Sequence, residues 1–389
     1  MENAPPELPA LPRPLRLASY NVEWFNGLFD DAGHLLADGE RSARYKISRA
    51  EQLTALGIVF TALNADGVMI IEAPDTGSRR QTVAALENFA RVYDLRCRRA
   101  IRGFISETEQ EIAFLYDPDR LEVRHDPQGP TPANETHALV PRFDGVFHHD
   151  LNVDDRPEKI RFSKPPLELA VTDRASGCAL RLIGVHAKSK APHGARNAAE
   201  VTRLGIENRR KQLAQCLWLR ARVGAHLDAG DALVVMGDFN DGPGLDEYEK
   251  LFGHSGVELV LGADAASDRQ MIEPHAQMAL GQRVGMTPTT ARFYHKVQKR
   301  YFGALLDFIM ISPNLARHSP EWRIWHPLDD PTCWRIPELR EALLTASDHF
   351  PVTLDLALGP AMGGDPSTGN SGTGNTGSAF PYEGDADET

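Results

Sequence analysis

Eight short apolar runs, each closed by polar or turn-forming residues, set the tightest limit on how this chain can fold. They are LRLASY, DGVMII, EIAFLY, LELAV, CALRLIGV, DALVVM, ALLDFIMI and PVTLDLAL. Runs of this length read as buried or half-buried strands. Between them, residues 47–63 and 200–222 have the spacing of amphipathic helices. In the second, Leu213, Cys216 and Leu217 share a face, with Arg209, Arg210 and Lys211 beside it. Many strands with a few interspersed helices predict a layered α/β architecture of the α+β kind.

Composition bounds the organisation. Residues 359–389 are rich in Gly, Ser, Thr and Asn and almost free of large apolar side chains. Such a segment cannot offset its ordering entropy by burial, so a disordered acidic tail is expected. Residues 1–14 read as an extended, proline-rich lead-in, and residues 15–358 as one domain. No apolar run approaches the ~20 residues of a membrane span. No basic region followed by an apolar stretch marks a secretory signal, which favours the cytoplasm. Cys97, Cys178, Cys216 and Cys333 are scattered without a CxxC pair and read as buried apolar residues. The net charge is −12, and the tail supplies −5 of it, leaving −7 on the body. A body this acidic does not steer polyanions globally, so a phosphate-bearing substrate would need local cations.

The chemistry-bearing residues sit at the ends of the apolar runs. GDFND places Asp238 and Asn240 just after a strand and on one side of it; these suit holding and orienting a water, or an Asx turn. SDHFPV offers Asp348 beside His349. LLDFIMIS buries Asp307 in an otherwise apolar strand, which is costly without a partner. His349 is the expected partner, a salt bridge to Arg or Lys the alternative. ASYNVEWF ends on Asn21 and Glu23, and DGVMIIEAPD on Glu72; carboxylates beside an amide suit a hard cation. LIGVHAKSK supplies His186, Lys188 and Lys190 as phosphate donors, or as an exposed basic strand end.

Taken in chain order, Asn21, Glu72, His186, Asp238-x-Asn240, Asp307 and Asp348-His349 resemble the endonuclease/exonuclease/phosphatase superfamily, whose fold is deoxyribonuclease-I-like. ENRRKQ, Glu207 to Gln212, resembles it as well. The resemblance implies a four-layered α/β sandwich, two packed β-sheets flanked by helices, with the site at the sheet rim. It implies one or two bound divalent cations, Mg2+ or Mn2+, with Glu72 as principal ligand and Asn21, Glu23 and Asp348 close by; the family often has Asp where this chain has Glu23. It further implies that Asp238 positions or deprotonates water with Asn240 orienting it. His349, supported by Asp307, would contact the phosphate or act as base, and His186 would bind phosphate or assist the leaving group. Either Asp238 or His349 can be the base.

Fold does not fix substrate. ARFYHKVQKRYF interleaves Arg292, His295, Lys296, Lys299 and Arg300 with aromatics, a composition suited to phosphate contacts and base stacking. Lys188, Lys190, Arg209 and Arg210 could extend that surface. A nuclease acting on DNA or RNA is therefore the leading expectation, and the same segment could also be a hairpin with a solvated basic face. A phosphatase or phosphodiesterase of lipid headgroups (phosphoinositide, sphingomyelin) or small phosphoesters is the alternative, favoured by the acidic body. An inactive scaffold is opposed by the competent side chain at every motif position. No protein partner is indicated. The stretch from Pro127 to Asp155, with His148, His149 and Asp150, reads as a surface loop, with a second metal site as the other reading.

Overall fold

The computed structural model of the chain describes residues 13–77, 79–131, 140–150, 157–192, 194–243, 253–281, 288–295 and 299–359. In the first sheet are β1 (Leu15–Asn21), β2 (Gly67–Pro74), β3 (Arg99–Arg102), β4 (Gln110–Tyr116), β14 (Glu321–Ile324) and β15 (Val352–Leu356), in the order β14-β15-β1-β2-β4-β3. In the second are β5 (Leu121–His125), β8 (Leu167–Asp173), β9 (Ala179–His186), β10 (Leu233–Asp238) and β13 (Asp307–Ile311), in the order β13-β10-β9-β8-β5. Two ribbons complete the strands: β6 (Phe147–His149) with β7 (Glu158–Ile160), and β11 (Ala291–His295) with β12 (Arg300–Ala304). Every apolar run forms a strand. The edge strands β3, β5 and β14 carry mostly partly exposed residues and so lack an apolar signature.

Strand alternation sorts the core into three slabs. Leu17, Met69, Ile71, Leu182, Met236 and Ile309 fill the space between the sheets. Tyr20 and Ile70 face away from it, toward α1 (Arg49–Leu63), α2 (Thr82–Val92) and the helix Pro337–Ala346. Ile183 and Val235 face Trp218, Leu219 and Val223 of α3 (Ala198–Asp228). The result is the four-layered α/β sandwich expected from the sequence. Each fully buried Leu, Ile or Phe contributes about 1.5–3 kcal/mol to these slabs.

Both long helices start where side-chain chemistry permits. Ser48 caps α1: its Oγ accepts from Glu51 N–H, and Glu51 Oε2 accepts from Ser48 N–H. In α3 the buried face differs from the sequence reading. Arg209, Gln212, Cys216, Leu219 and Val223 are buried, whereas Leu213 and Leu217 are only partly so. The apolar count missed this face because two of its five members are polar. Arg209 is 1% exposed, which removes it from any substrate-facing surface.

The stretch from Pro127 to Asp155 is more ordered than a surface loop where it is described. Phe147 of β6 stacks on Trp218, and Trp218 Nε1 donates to the Pro141 carbonyl at 2.9 Å. Among the described residues, no three His, Cys, Asp or Glu side chains there or elsewhere form a ready metal cluster. The tail beyond residue 359 lies outside the described residues.

Candidate active site

Register assembles the centre. β10 runs parallel to β9 with Asp238 opposite His186, and antiparallel to β13 with Asp238 opposite Asp307. All three follow the alternation of Leu182, Met236 and Ile309, so they point toward the first sheet. Asn21, at the end of β1 and in phase with Leu17, points back at them, and its Nδ2 donates to Asp238 Oδ2 at 3.0 Å. Plain alternation would aim Glu72 at the helices, because Met69 and Ile71 already face the inter-sheet core. Instead β2 carries a register shift between Ile71 and Ala73, and Glu72 has φ 64°. A bulge of this kind re-aims a side chain. It places Glu72 Oε1 3.9 Å from His186 Nε2.

The other wall comes from the loop before β15. Ser347 Oγ donates to the Asn21 carbonyl at 2.8 Å and accepts from Glu23 N–H and His349 N–H. That hydroxyl fastens the end of β1 to Asp348 and His349. His349 is 6% exposed, so it is no surface turn residue. Its Nδ1 lies 2.8 Å from Asp307 Oδ2, the pairing expected from the lone buried carboxylate. The cleft between these walls has a volume of about 890 Å3.

Burial and neighbours set the charge states. Burial, reinforced by Asp307 and Glu72, pushes Asp238 up to about 7 against the opposing pull of His349. Burial alone would lower His349, but Asp307, then Asp238 and Asp348, outweigh it and hold the imidazole well above its ordinary value. His186 goes the other way: burial, with Lys164 and His349, holds it well below. Glu23 is pushed up to about 7 by burial and by Asp348, despite its ion pair with Arg44. Glu72 is raised by burial, and Asp348 adds to it.

These carboxylates are of the kind that a hard cation takes, although they are not gathered into a ready cluster among the described residues. Glu23, Glu72 and Asp348 repel one another, and all three line the cleft with Asn21. The buried Asn21 Oδ1 has no hydrogen-bond partner among the described residues. Oxygen donors of this kind suit magnesium or manganese with retained water.

Other expectations need correction. Both Asn240 Nδ2 contacts are internal, to the Ala187 carbonyl at 3.0 Å and to Asp238 Oδ2 at 3.2 Å. Of the basic residues expected to meet substrate, only Lys190 lines the cleft among the described residues, and its Nζ binds Asp241 Oδ1 at 2.6 Å. Lys188 is half-buried beyond the cleft walls, and Lys299 is exposed at the β11–β12 turn. Lys296 lies outside the described residues. Arg292 lies over the Tyr301 ring, 4.3 Å from its centre, and lines a neighbouring cavity. Period-two alternation separates it from Phe293 and Phe302, which line the cleft. The segment therefore turns Phe293 and Phe302, and not Arg292, toward the centre.

Four further residues contribute, of which Gln110 and Lys164 had no readable signal and Arg209 and Gln212 were marked only by the ENRRKQ stretch. Gln110 and Lys164 line the cleft from β4 and from a loop, both in unremarkable sequence. Arg209 and Gln212 of the ENRRKQ stretch act from behind. Arg209 binds Asp241 at 2.8 Å, and Gln212 Nε2 donates to the Phe239 and Asn240 carbonyls. Together they brace the loop that follows Asp238 at the end of β10.

Comparison with known proteins follows this geometry. The model of the Endonuclease/Exonuclease/phosphatase family matches residues 18–349. No curated protein matches the chain. Among solved structures, TDP2 from Caenorhabditis elegans is 15% identical, with a TM-score of 0.46 over 88% of this chain and 75% of that one. The human Nocturnin catalytic domain is 14% identical (TM-score 0.41, 89% and 95% covered), and the endonuclease domain of the TRAS1 retrotransposon 12% (0.40, 88% and 98%). None is similar enough to bear on substrate. With the family model running through every motif from β1 to His349, the chain belongs to the Endonuclease/Exonuclease/phosphatase family and is a phosphoester hydrolase.

Proposed function

We propose that the chain is a divalent-metal-dependent phosphodiesterase that cleaves nucleic acid by in-line attack of water on phosphorus. The carrying observation is the cross-strand pair Phe293–Phe302, which opens onto the same cleft as Asp238, His186 and His349. Phe293 packs edge-on against His349 at 5.6 Å, and Phe302 is 43% exposed. Aromatic faces beside a phosphate site suit stacked bases.

Asp238 is held by Asn21 Nδ2, Asn240 N–H and Asn240 Nδ2, and burial raises its basicity. It therefore orients the attacking water and takes its proton. His349, kept protonated by Asp307, donates to a non-bridging phosphate oxygen, which favours Asp238 over His349 as base. His186, uncharged, donates a hydrogen bond to the phosphate, and the departing oxygen takes its proton from solvent water. Glu72, Glu23, Asp348 and Asn21 Oδ1 would hold a magnesium or manganese ion. Such a cation supplies Lewis-acid stabilisation of charge at the phosphate.

A second reading, a phosphoesterase of lipid headgroups, has one structural observation in its favour beside the acidic body. Tyr294 and Tyr301 are 50% and 57% exposed on the outer face of the hairpin. Assays of DNA, RNA, sphingomyelin, phosphoinositides and nucleotides, each with magnesium, manganese or EDTA, separate the two. Cation-dependent cleavage of nucleic acid is expected. Turnover of lipids alone would overturn the nuclease reading, and EDTA-insensitive turnover would overturn the metal.

A further inference from the structure

His186 meets a cation on the side opposite the cleft carboxylates. Lys164 Nζ lies 3.2 Å from His186 Nδ1, while Nε2 lies 3.7 Å from Asp238 Oδ2 and 3.9 Å from Glu72 Oε1. An ammonium has three donors and no acceptor. Facing it, Nδ1 must be the bare, accepting nitrogen. The ring hydrogen then sits on Nε2, on the side of the two carboxylates.

The same ammonium orients a second group. Lys164 Nζ donates to Gln110 Oε1 at 2.5 Å, and Gln110 Nε2 donates to Glu72 Oε2. The amide has its oxygen toward the cation and its nitrogen toward the carboxylate, so neither end can be exchanged without placing like groups together. Two hydrogen-bonded paths therefore run from Lys164 along the cleft wall, one to His186 and one through Gln110 to Glu72.

We propose that Lys164 is a positioning residue for the phosphoester reaction: it fixes His186 as an Nε2–H donor facing the substrate phosphate and, through Gln110, sets the orientation of Glu72. Lys164 touches neither the attacking water nor the phosphate in this scheme. It acts on both through its neighbours. The catalytic half rests on the reading of the cleft as the phosphoester site; the tautomer half does not.

Nitrogen NMR of the histidine rings in the metal-free full chain tests the tautomer, with His186→Asn identifying the signals. The expected spectrum at neutral pH shows a bare Nδ1 and a protonated Nε2. Lys164→Met should release His186 into a mixture of tautomers. With magnesium and a nucleic-acid substrate it should lower kcat about 10- to 100-fold, with KM moving far less. Lys164→Arg, which keeps a donor-only cation, should recover the Nε2–H form and part of kcat. A protonated Nδ1 in the unsubstituted protein would overturn the proposal, whatever the enzyme hydrolyses. So would a Lys164→Met protein with an unchanged tautomer and full kcat. If the tautomer responds as expected in a protein that hydrolyses no phosphoester, the assignment of the cleft fails and the tautomer assignment stands.

Discussion

At the residue scale, Asp307 shows how one misplaced charge can be read. It interrupts an apolar strand, is 2% exposed, and is tolerable there because His349 lies 2.8 Å away. Its partner was inferable because few residues could repay such a burial. Replacing it with Asn removes the charge that holds His349 protonated and leaves the shape intact. Asp307→Asn should therefore lower kcat by about 10²–10⁴-fold, with an unchanged circular dichroism spectrum. Activity within twofold of the unsubstituted protein would show that the pair is structural only. Lys164 is the opposite case. Nothing in its flanking sequence marks it, since its value comes from a contact with His186, 22 residues away.

At the scale of elements, β10 and the loop after it depend on close backbone approach. Gly237 has φ 142°, and a Cβ there would sit 2.0 Å from the Val185 carbonyl oxygen. Gly237→Ala must push β10 away from β9, separating Asp238 from His186. A loss of roughly 3 kcal/mol or more in urea-unfolding free energy is expected, together with loss of turnover. Unchanged stability would mean that the two strands adjust freely. The apolar runs announced β10 and its seven partners, because buried strands are apolar wherever they lie. The β11–β12 hairpin was one of two readings of its segment, and it came without a register. Which residues of that segment face the cleft followed from its pairing, Phe293 with Phe302 and Tyr294 with Tyr301, and the linear sequence does not state a register.

At the scale of the whole molecule, the second sheet and α3 are joined by a buried charge pair. Arg222 Nε lies 3.1 Å from Glu168 Oε1 without the alignment of a hydrogen bond. Burial pushes Glu168 up to about 7 even beside that guanidinium. A carboxyl raised above its unfolded value of 4.5 keeps its proton longer in the folded state. Its contribution to stability is thus fullest below about pH 4.5 and is lost as pH rises to about 7. Glu168→Gln should flatten the fall in unfolding free energy across that window by on the order of 1–3 kcal/mol, measured by urea titration at several pH values. The same slope in both proteins would mean that Glu168 is ionised throughout.

The sequence by itself determined the layered α/β class and the order of the site motifs, and it made His349 the expected partner of Asp307. Each rests on a local property: an apolar run of strand length, a polar residue at its end, or a charge whose burial demands a partner. Only the tertiary structure decided the direction of Glu72, the internal use of Asn240, the burial of Arg209 and the place of Lys164 beside His186. Those depend on a bulge, on strand register, and on which face of a helix meets a sheet. They arise when distant segments pack, and a single position carries no record of them.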